Sequence, residues 1–370
     1  MRALLIADPA LSLYGSITPV LLLGREFVKK GWEVVVVSPK VEDRVRERFK
    51  EYGIEMIDLG IPNTLFSEPS KAYVEYWAGE AILSLNSRRA TKNLTEVADA
   101  GDIVINFSNT VVVRSDAWYA QGPVYKALDS AVEQFSTTYK LLYTVSRHVV
   151  KYLDQRLISR LAKVSRIVVS NSRYQKRIYE ELGISVDEVI YEPLDTSFFQ
   201  PTTRSPRGDY VVVYFGKETD YMAVKRVADA GVRIRAFGSK ASTLVPKSLL
   251  KHPNIEALGY VSDKELVDLY SNALFTLFPF TEEPFGYVPV ESMACGTPVL
   301  TYNRQGPSET VIHGVTGWLA NSDEELVELA VRIWKEGYPS WMRARSRERA
   351  LEFDVKVIAG KWLEVIKRLD

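Results

Sequence analysis

The chain has 370 residues, 46% of them hydrophobic and 25% charged, with 47 Lys and Arg against 47 Asp and Glu. That length exceeds one ordinary core and predicts two domains of under about 200 residues each. The composition excludes a disordered or low-complexity chain, no nucleic-acid partner is expected, and a zero net charge still leaves room for a local basic stripe facing a nucleotide or lipid.

The N-terminus, MRALLIADP, has one basic residue and a very short apolar run, so it is expected to be a first buried strand and not a secretion signal. No segment reaches the roughly 18 apolar residues that span a bilayer, so any membrane contact is expected to be peripheral. Cys295 is the one cysteine and cannot form an internal disulfide. A reducing cytoplasm is the simpler setting.

Short apolar runs alternate with helix-period stretches. ALLIA (3–7), a helical 17–30 and EVVVVS (33–38) give a strand, helix, strand unit of a parallel sheet, with Gly31 as the stop. IEMIDL (54–59), DIVINF (102–107), YTV (143–145) and RIVVS (166–170) are the next strand candidates. After PTTRSPRG (201–208) the alternation restarts with YVVVYFG (210–216), RIRAFG (233–238), IEALGY (255–260), LFTLFPF (274–280), PVLTY (298–302) and GWLA (317–320). The predicted fold class is α/β, two Rossmann-like doubly wound parallel-sheet domains facing across a cleft, where a ligand is expected.

One stretch carries chemistry. In 278–318, FPFTEEPFGYVPVESMACGTPVLTYNRQGPSETVIHGVTGW, Glu283 and Glu291 are separated by seven residues, within a frame of Pro284, Phe285, Gly286, Pro289, Gly296 and Pro298. Pro279 and Phe280 end a buried strand, a loop follows over 281–287, and a helix is expected from about Pro289 to Cys295, with Glu291 in its first turn. A carboxylate offers two acceptor oxygens that suit a vicinal diol, and a helix N-terminus offers unpaired amides to anionic or hydroxyl-rich ligands. A solvated loop charge and a helix-dipole partner are the plainer alternatives.

This segment resembles the retaining glycosyltransferases of the large GT-B family called family 4. The resemblance implies a nucleotide-diphosphate sugar donor, with Glu291 on the ribose hydroxyls and Glu283 on the donor sugar. Phe285, Gly286 and Tyr287 would then offer backbone amides to the sugar. Family members usually place an Arg after the glycine that closes the second domain's first strand and a Lys about five residues later. Here Lys217 follows Gly216, Tyr221 and Met222 occupy the second place, and Lys225 lies further on, as ready to be an exposed helix lysine as a phosphate ligand. Gly15, in the turn between the first strand and helix, matches the place of the family's Gly-rich loop, and an ordinary turn would also use it. Gln121 in WYAQGPVYKALD (118–129) stands where a histidine is common; its amide can bond a hydroxyl but cannot carry a proton.

By this resemblance the domains are 1–198 with the C-terminal helix 353–370, on the acceptor side, and 199–352 on the donor side, hinged near 199–208 and about 350. The implied reaction is a metal-independent, retaining transfer to an acceptor hydroxyl or phosphate, lipid-linked or glycan, with no cofactor. The absence of any Asp-x-Asp pair or Ser-His-Asp constellation agrees with it. A UDP-N-acetylglucosamine 2-epimerase and a non-catalytic sugar-nucleotide binder are the alternatives; a nicotinamide-dependent dehydrogenase would want a G-x-G-x-x-G that 8–24 lack.

Between 140 and 177 there are ten Lys or Arg against one acid, Asp154. Val150, Leu153, Leu157, Leu161 and Val164 form one helical stripe there, flanked by Arg156, Arg160 and Lys163. Such a helix suits peripheral contact with an anionic inner membrane face or a polyprenyl-phosphate acceptor; a core-packing helix with a solvated basic side has the same pattern.

Overall fold

A computed structural model describes residues 1–13, 15–62, 69–83, 103–132, 137–204, 206–216, 218–238 and 245–369. Two compact units are present, one of Met1–Asp129, Thr137–Pro193 and Val355–Asp370, the other including Leu194–Asp354.

In unit 1 the strands are β1 (Arg2–Ile6), β2 (Glu33–Ser38), β3 (Glu55–Asp58), β4 (Ile103–Asn106), β5 (Ser115–Ala120), β6 (Ser165–Ser170) and β7 (Glu188–Val189), all parallel, in the order β3-β2-β1-β4-β5-β6-β7. Its helices are α1 (Ile17–Lys29), α2 (Asp43–Lys50), α3 (Pro69–Leu83), α4 (Val124–Ala131), α5 (Thr137–Val164) and α6 (Arg173–Glu181). The uninterrupted apolar runs of β1 and β2 follow from burial on both faces: Ala3 to Ile6 and Val34 to Val37 are all buried.

In unit 2 the strands are β8 (Val211–Tyr214), β9 (Ile234–Phe237), β10 (Ile255–Gly259), β11 (Thr276–Phe278), β12 (Val299–Tyr302) and β13 (Gly317–Ala320), again parallel, in the order β10-β9-β8-β11-β12-β13. The helices are α7 (Tyr221–Asp229), α8 (Lys247–Leu250), α9 (Asp263–Asn272), α10 (Tyr287–Ala294), α11 (Pro307–Thr310), α12 (Asp323–Glu336) and α13 (Trp341–Leu351). The last helix, α14 (Val355–Lys367), belongs to unit 1. Its Trp362 is fully buried, with its ring 5.7 Å from Phe107 and 5.4 Å from Tyr119.

Two sequence expectations about unit 1 are corrected. YTV at 143–145 is helical, because it sits inside the 28-residue α5 and a three-residue β-branched and aromatic run cannot override a helix of that length. The strand missed was β5, whose SDAWYA opens with two strand-poor residues, yet pairs with both β4 and β6. The stripe in 140–177 is the buried side of α5: Leu157 and Leu161 are in the core, with Val150, Leu153 and Val164 packed against it. It is therefore not a membrane-facing stripe.

Strand order reverses between β1 and β4 in unit 1 and between β8 and β11 in unit 2. In open parallel sheets, the carboxyl ends of the strands at such a reversal leave a crevice for ligands.

Candidate functional site

Glu283 lies at the reversal of unit 2, on the loop that leaves β11. Parallel stacking of the Phe278 and Phe280 rings, 3.9 Å apart, stiffens the start of that loop. Phe280 then bridges Thr219, and the Thr281 amide donates to the Glu218 carbonyl at 3.0 Å, tying the loop to the segment after β8. From the other side Gln305 grips it: the Glu283 amide donates to Gln305 Oε1 at 3.0 Å, and Gln305 Nε2 donates to the Thr281 carbonyl. Gln305 holds this position at φ 62°, a left-handed conformation uncommon for a residue with a side chain.

Gly306 follows, and its amide donates to the Glu283 carbonyl at 3.0 Å. A Cβ at Gly306 would lie 2.1 Å from the Pro284 carbonyl oxygen, so two backbone segments meet where only glycine fits. Gly286, at φ 94°, makes the turn into α10.

The carboxylate of Glu283 turns back on its own loop. Its Oε1 accepts from the Phe285 amide at 3.3 Å and the Gly286 amide at 3.1 Å. Of the three amides expected to face a sugar, those of Phe285 and Gly286 are directed at Glu283 here. The Phe285 side chain is buried, packing against Phe353. Tyr287 opens α10 with its ring edge-on to Phe285.

The helix starts at Tyr287, two residues earlier than expected, which moves Glu291 from the first turn to the second. Pro289 causes the difference: proline lacks an N–H and reads as a helix start, but it is tolerated anywhere in the first turn, where amides have no intrahelical partner. Glu291 accepts a hydrogen bond from Tyr270 Oη at 3.1 Å. Burial pushes its carboxyl up to about 7, the Tyr270 bond pulling down and the Asp263 charge pushing up by less. Tyr270 itself is fully buried, and burial followed by the Glu291 charge holds its phenol well above the ordinary range. A half-hidden carboxylate oriented by one phenol is suited to receive hydroxyl donors, whose bonds favour its charged form.

Lys217 lies outside the described residues. Lys225, on the exposed face of α7, pairs with Asp229 at 2.7 Å, and His252 contacts the same carboxylate at 3.1 Å. This i,i+4 pair is the arrangement of an ordinary surface helix. Lys225→Ala should therefore leave stability essentially unchanged in thermal denaturation.

Unit 1 has its own polar constellation at the reversal between β1 and β4. Asp8, 3% exposed, accepts on one oxygen from Ser108 Oγ at 2.6 Å, the Asn109 amide at 3.0 Å and Thr110 Oγ1 at 2.9 Å. Burial raises its carboxyl above the usual range despite these bonds. Asn109 Nδ2 donates to the Gly122 carbonyl at 3.2 Å. Gln121 follows β5, with a buried Nε2 that has no hydrogen-bond partner among the described residues, and the same holds for the Oδ1 of Asn109. Buried unpaired amide atoms are uncommon and mark places where water or a ligand group completes the bonding. Gly15, at φ 70°, leads into α1, and a Cβ there would meet nothing within 4 Å.

Sequence reasoning did not single out Asp8, Asn109, Tyr270 or Gln305. The signal for Asp8 was available, as an acid directly after the apolar run 3–7. Tyr270 and Gln305 lie 21 residues before and 14 after Glu291, within segments that look like ordinary helix and turn.

Residues 239–352 match the family model of glycosyl transferases group 1. The chain is similar to the alpha-1,3/1,6-mannosyltransferase ALG2 of Mus musculus, 39% identical over 119 residues that cover 31% of this chain and 29% of that protein. The chain spans less than a third of the length of the mannosyltransferases it matches, here and in Neurospora crassa. Over the whole chain the fold is similar to two solved structures. Sucrose-phosphate synthase from Thermosynechococcus elongatus matches with a TM-score of 0.72 at 18% identity, covering 100% of this chain and 99% of that one. Anabaena Alr3699/HepE in complex with UDP matches with a TM-score of 0.68 at 16% identity, covering 100% of both chains.

Proposed function

Because the chain belongs, through residues 239–352, to glycosyl transferases group 1, we propose that it moves a sugar from a nucleotide-diphosphate sugar, bound in unit 2, to an acceptor hydroxyl or phosphate with retention of configuration. The observation that carries this reading is the pair of carboxylates at the strand reversal, one fixing the loop after β11 and one presented from the second turn of α10. Glu291 takes the ribose hydroxyls as a bidentate acceptor, with Tyr270 setting its orientation. A carboxylate has roughly four acceptor positions, so Glu283 can hold the loop and a hydroxyl of the donor sugar together.

No side chain of unit 2 is needed as a nucleophile in a transfer of this kind. The bond from the anomeric carbon to the diphosphate oxygen breaks, the acceptor oxygen bonds to the same face of that carbon, and the departing phosphate takes the acceptor's proton. Catalysis then rests on orientation and on stabilising charge that develops on the diphosphate. Lys217 is the cation assigned to that charge, and no metal ion is required. Supporting a uridine donor is the likeness of the fold to a protein whose structure holds UDP.

The test is thermal denaturation against a panel of UDP-, GDP- and ADP-sugars. Mass action predicts that a donor at 100 times its Kd stabilises by about 2.7 kcal/mol, read as a clear rise in melting temperature for one base over the others. No shift with any of them would overturn the reading. EDTA should leave turnover of the identified donor unchanged.

A further inference from the structure

The corrected face of α5 leaves a different surface to explain. Leu141, Leu142, Val145, Val149 and Tyr152 all lie on the outside of this helix, with exposures running from 53% at Tyr152 to 75% at Val145. At 3.6 residues per turn, positions 141, 142, 145, 149, 152, 156 and 163 fall within an arc of about 100°. One stripe therefore runs apolar for some 16 Å from residue 141 to 152, and then continues with the exposed cations Arg156 and Lys163. An exposed patch of large apolar side chains in line on one helix marks an interaction surface.

Its charge says which kind. α5 carries Lys140, Arg147, Lys151, Arg156, Arg160 and Lys163 against a single acid, Asp154. Asp154 is turned inward, 1% exposed, and accepts from Trp77 Nε1 at 2.8 Å and from the Tyr125 amide at 3.0 Å. The outward side of the helix therefore presents no carboxylate of its own. Apolar side chains that enter an acyl boundary, an aromatic phenol at its edge and cations at head-group level are the composition of an interfacial helix. A protein partner or a second copy would be expected to meet a mixed-sign rim.

We propose that α5 docks unit 1 on an anionic lipid surface through Leu141, Leu142, Val145, Val149 and Tyr152, with Arg156 and Lys163 against the head groups. No helix among the described residues is long and apolar enough to cross a membrane, so this contact lies in the plane of the interface. It stands independently of the donor reading, because none of these residues belongs to unit 2.

The full chain, without nucleotide sugar, is co-sedimented with vesicles of phosphatidylcholine alone and of phosphatidylcholine with phosphatidylglycerol. Wild type should pellet with the phosphatidylglycerol vesicles and largely stay in solution with the neutral ones. Val145→Glu with Val149→Glu should weaken pelleting by at least about tenfold, because two charges must enter the acyl boundary. Arg156→Glu with Lys163→Glu should abolish the preference for phosphatidylglycerol. All four positions are exposed, so circular dichroism should be unchanged in both variants. Wild type remaining in solution with phosphatidylglycerol vesicles would overturn the proposal. So would a Val145→Glu, Val149→Glu variant that pellets like wild type, or light scattering that shows a wild-type dimer which this variant dissociates while no vesicle binds.

Discussion

Glu291→Ala is expected to lower affinity for the nucleotide-sugar donor by about 100-fold, the loss of two hydrogen bonds to a charged acceptor at roughly 1.5 kcal/mol each. The same substitution should not unfold the protein. Burial raises the Glu291 carboxyl from 4.5 to about 7, so the folded state holds this proton more tightly than the unfolded chain. Stability is therefore greatest below the unfolded value and falls as pH rises through about 7, where the half-buried group must ionise. The full shift corresponds to about 3 kcal/mol as an upper figure. Glu291→Gln should flatten that slope, becoming more stable than wild type at pH 8 and little different at pH 4. Donor binding to the Glu291 carboxylate, as proposed, is expected to have the opposite pH dependence: affinity should weaken as pH falls below 7, and titration near pH 6 should release a proton. Calorimetry in two buffers of different ionisation enthalpy reads that proton directly. A pH-independent donor affinity between 5.5 and 8 would remove Glu291 from the ribose.

Gly306→Ala is expected to have the largest effect on the loop. The added Cβ would meet the Pro284 carbonyl oxygen at 2.1 Å and the Phe285 Cα at 2.6 Å, both backbone atoms that cannot rotate away. One segment must shift, breaking the Gly306 to Glu283 and Glu283 to Gln305 bonds that fix the loop carrying the carboxylate. A loss of roughly 2–4 kcal/mol in stability is expected, together with loss of donor-induced stabilisation. Gly314→Ala is the control. Gly314, unlike the right-handed Gly306, is left-handed, at φ 74°, but a Cβ there meets nothing within 4 Å, so the variant should carry a smaller stability loss and keep the donor response. Equal effects at the two positions would show that loop crowding is not what places Glu283.

Much of the fold could be read from apolar periodicity, because parallel strands buried on both faces write themselves as runs such as LLI and VVVV. β5 could not, since SDAWYA draws its stability from pairing with β4 and β6 and not from its own composition. The 143–145 error has the same origin in reverse: three strand-like residues lie in a helix that tertiary packing decides. For the site, Glu283 and Glu291 were visible as a motif, while the bonds that position them were not. Gln305 and Tyr270 reach the glutamates through the fold, and no local pattern announces that. α5 shows a further limit. Its two apolar stripes are both present in the sequence, and only burial distinguishes the one in the core from the one in solvent.

The proposed donor site is the loop after β11 together with α10. Hydrogen exchange with and without the stabilising nucleotide sugar maps that directly. Protection is expected in peptides covering 278–295 and around Tyr270, and it should be absent for Glu291→Ala at the same donor concentration. A donor that stabilises the protein while leaving 278–295 and Tyr270 unprotected would contradict it.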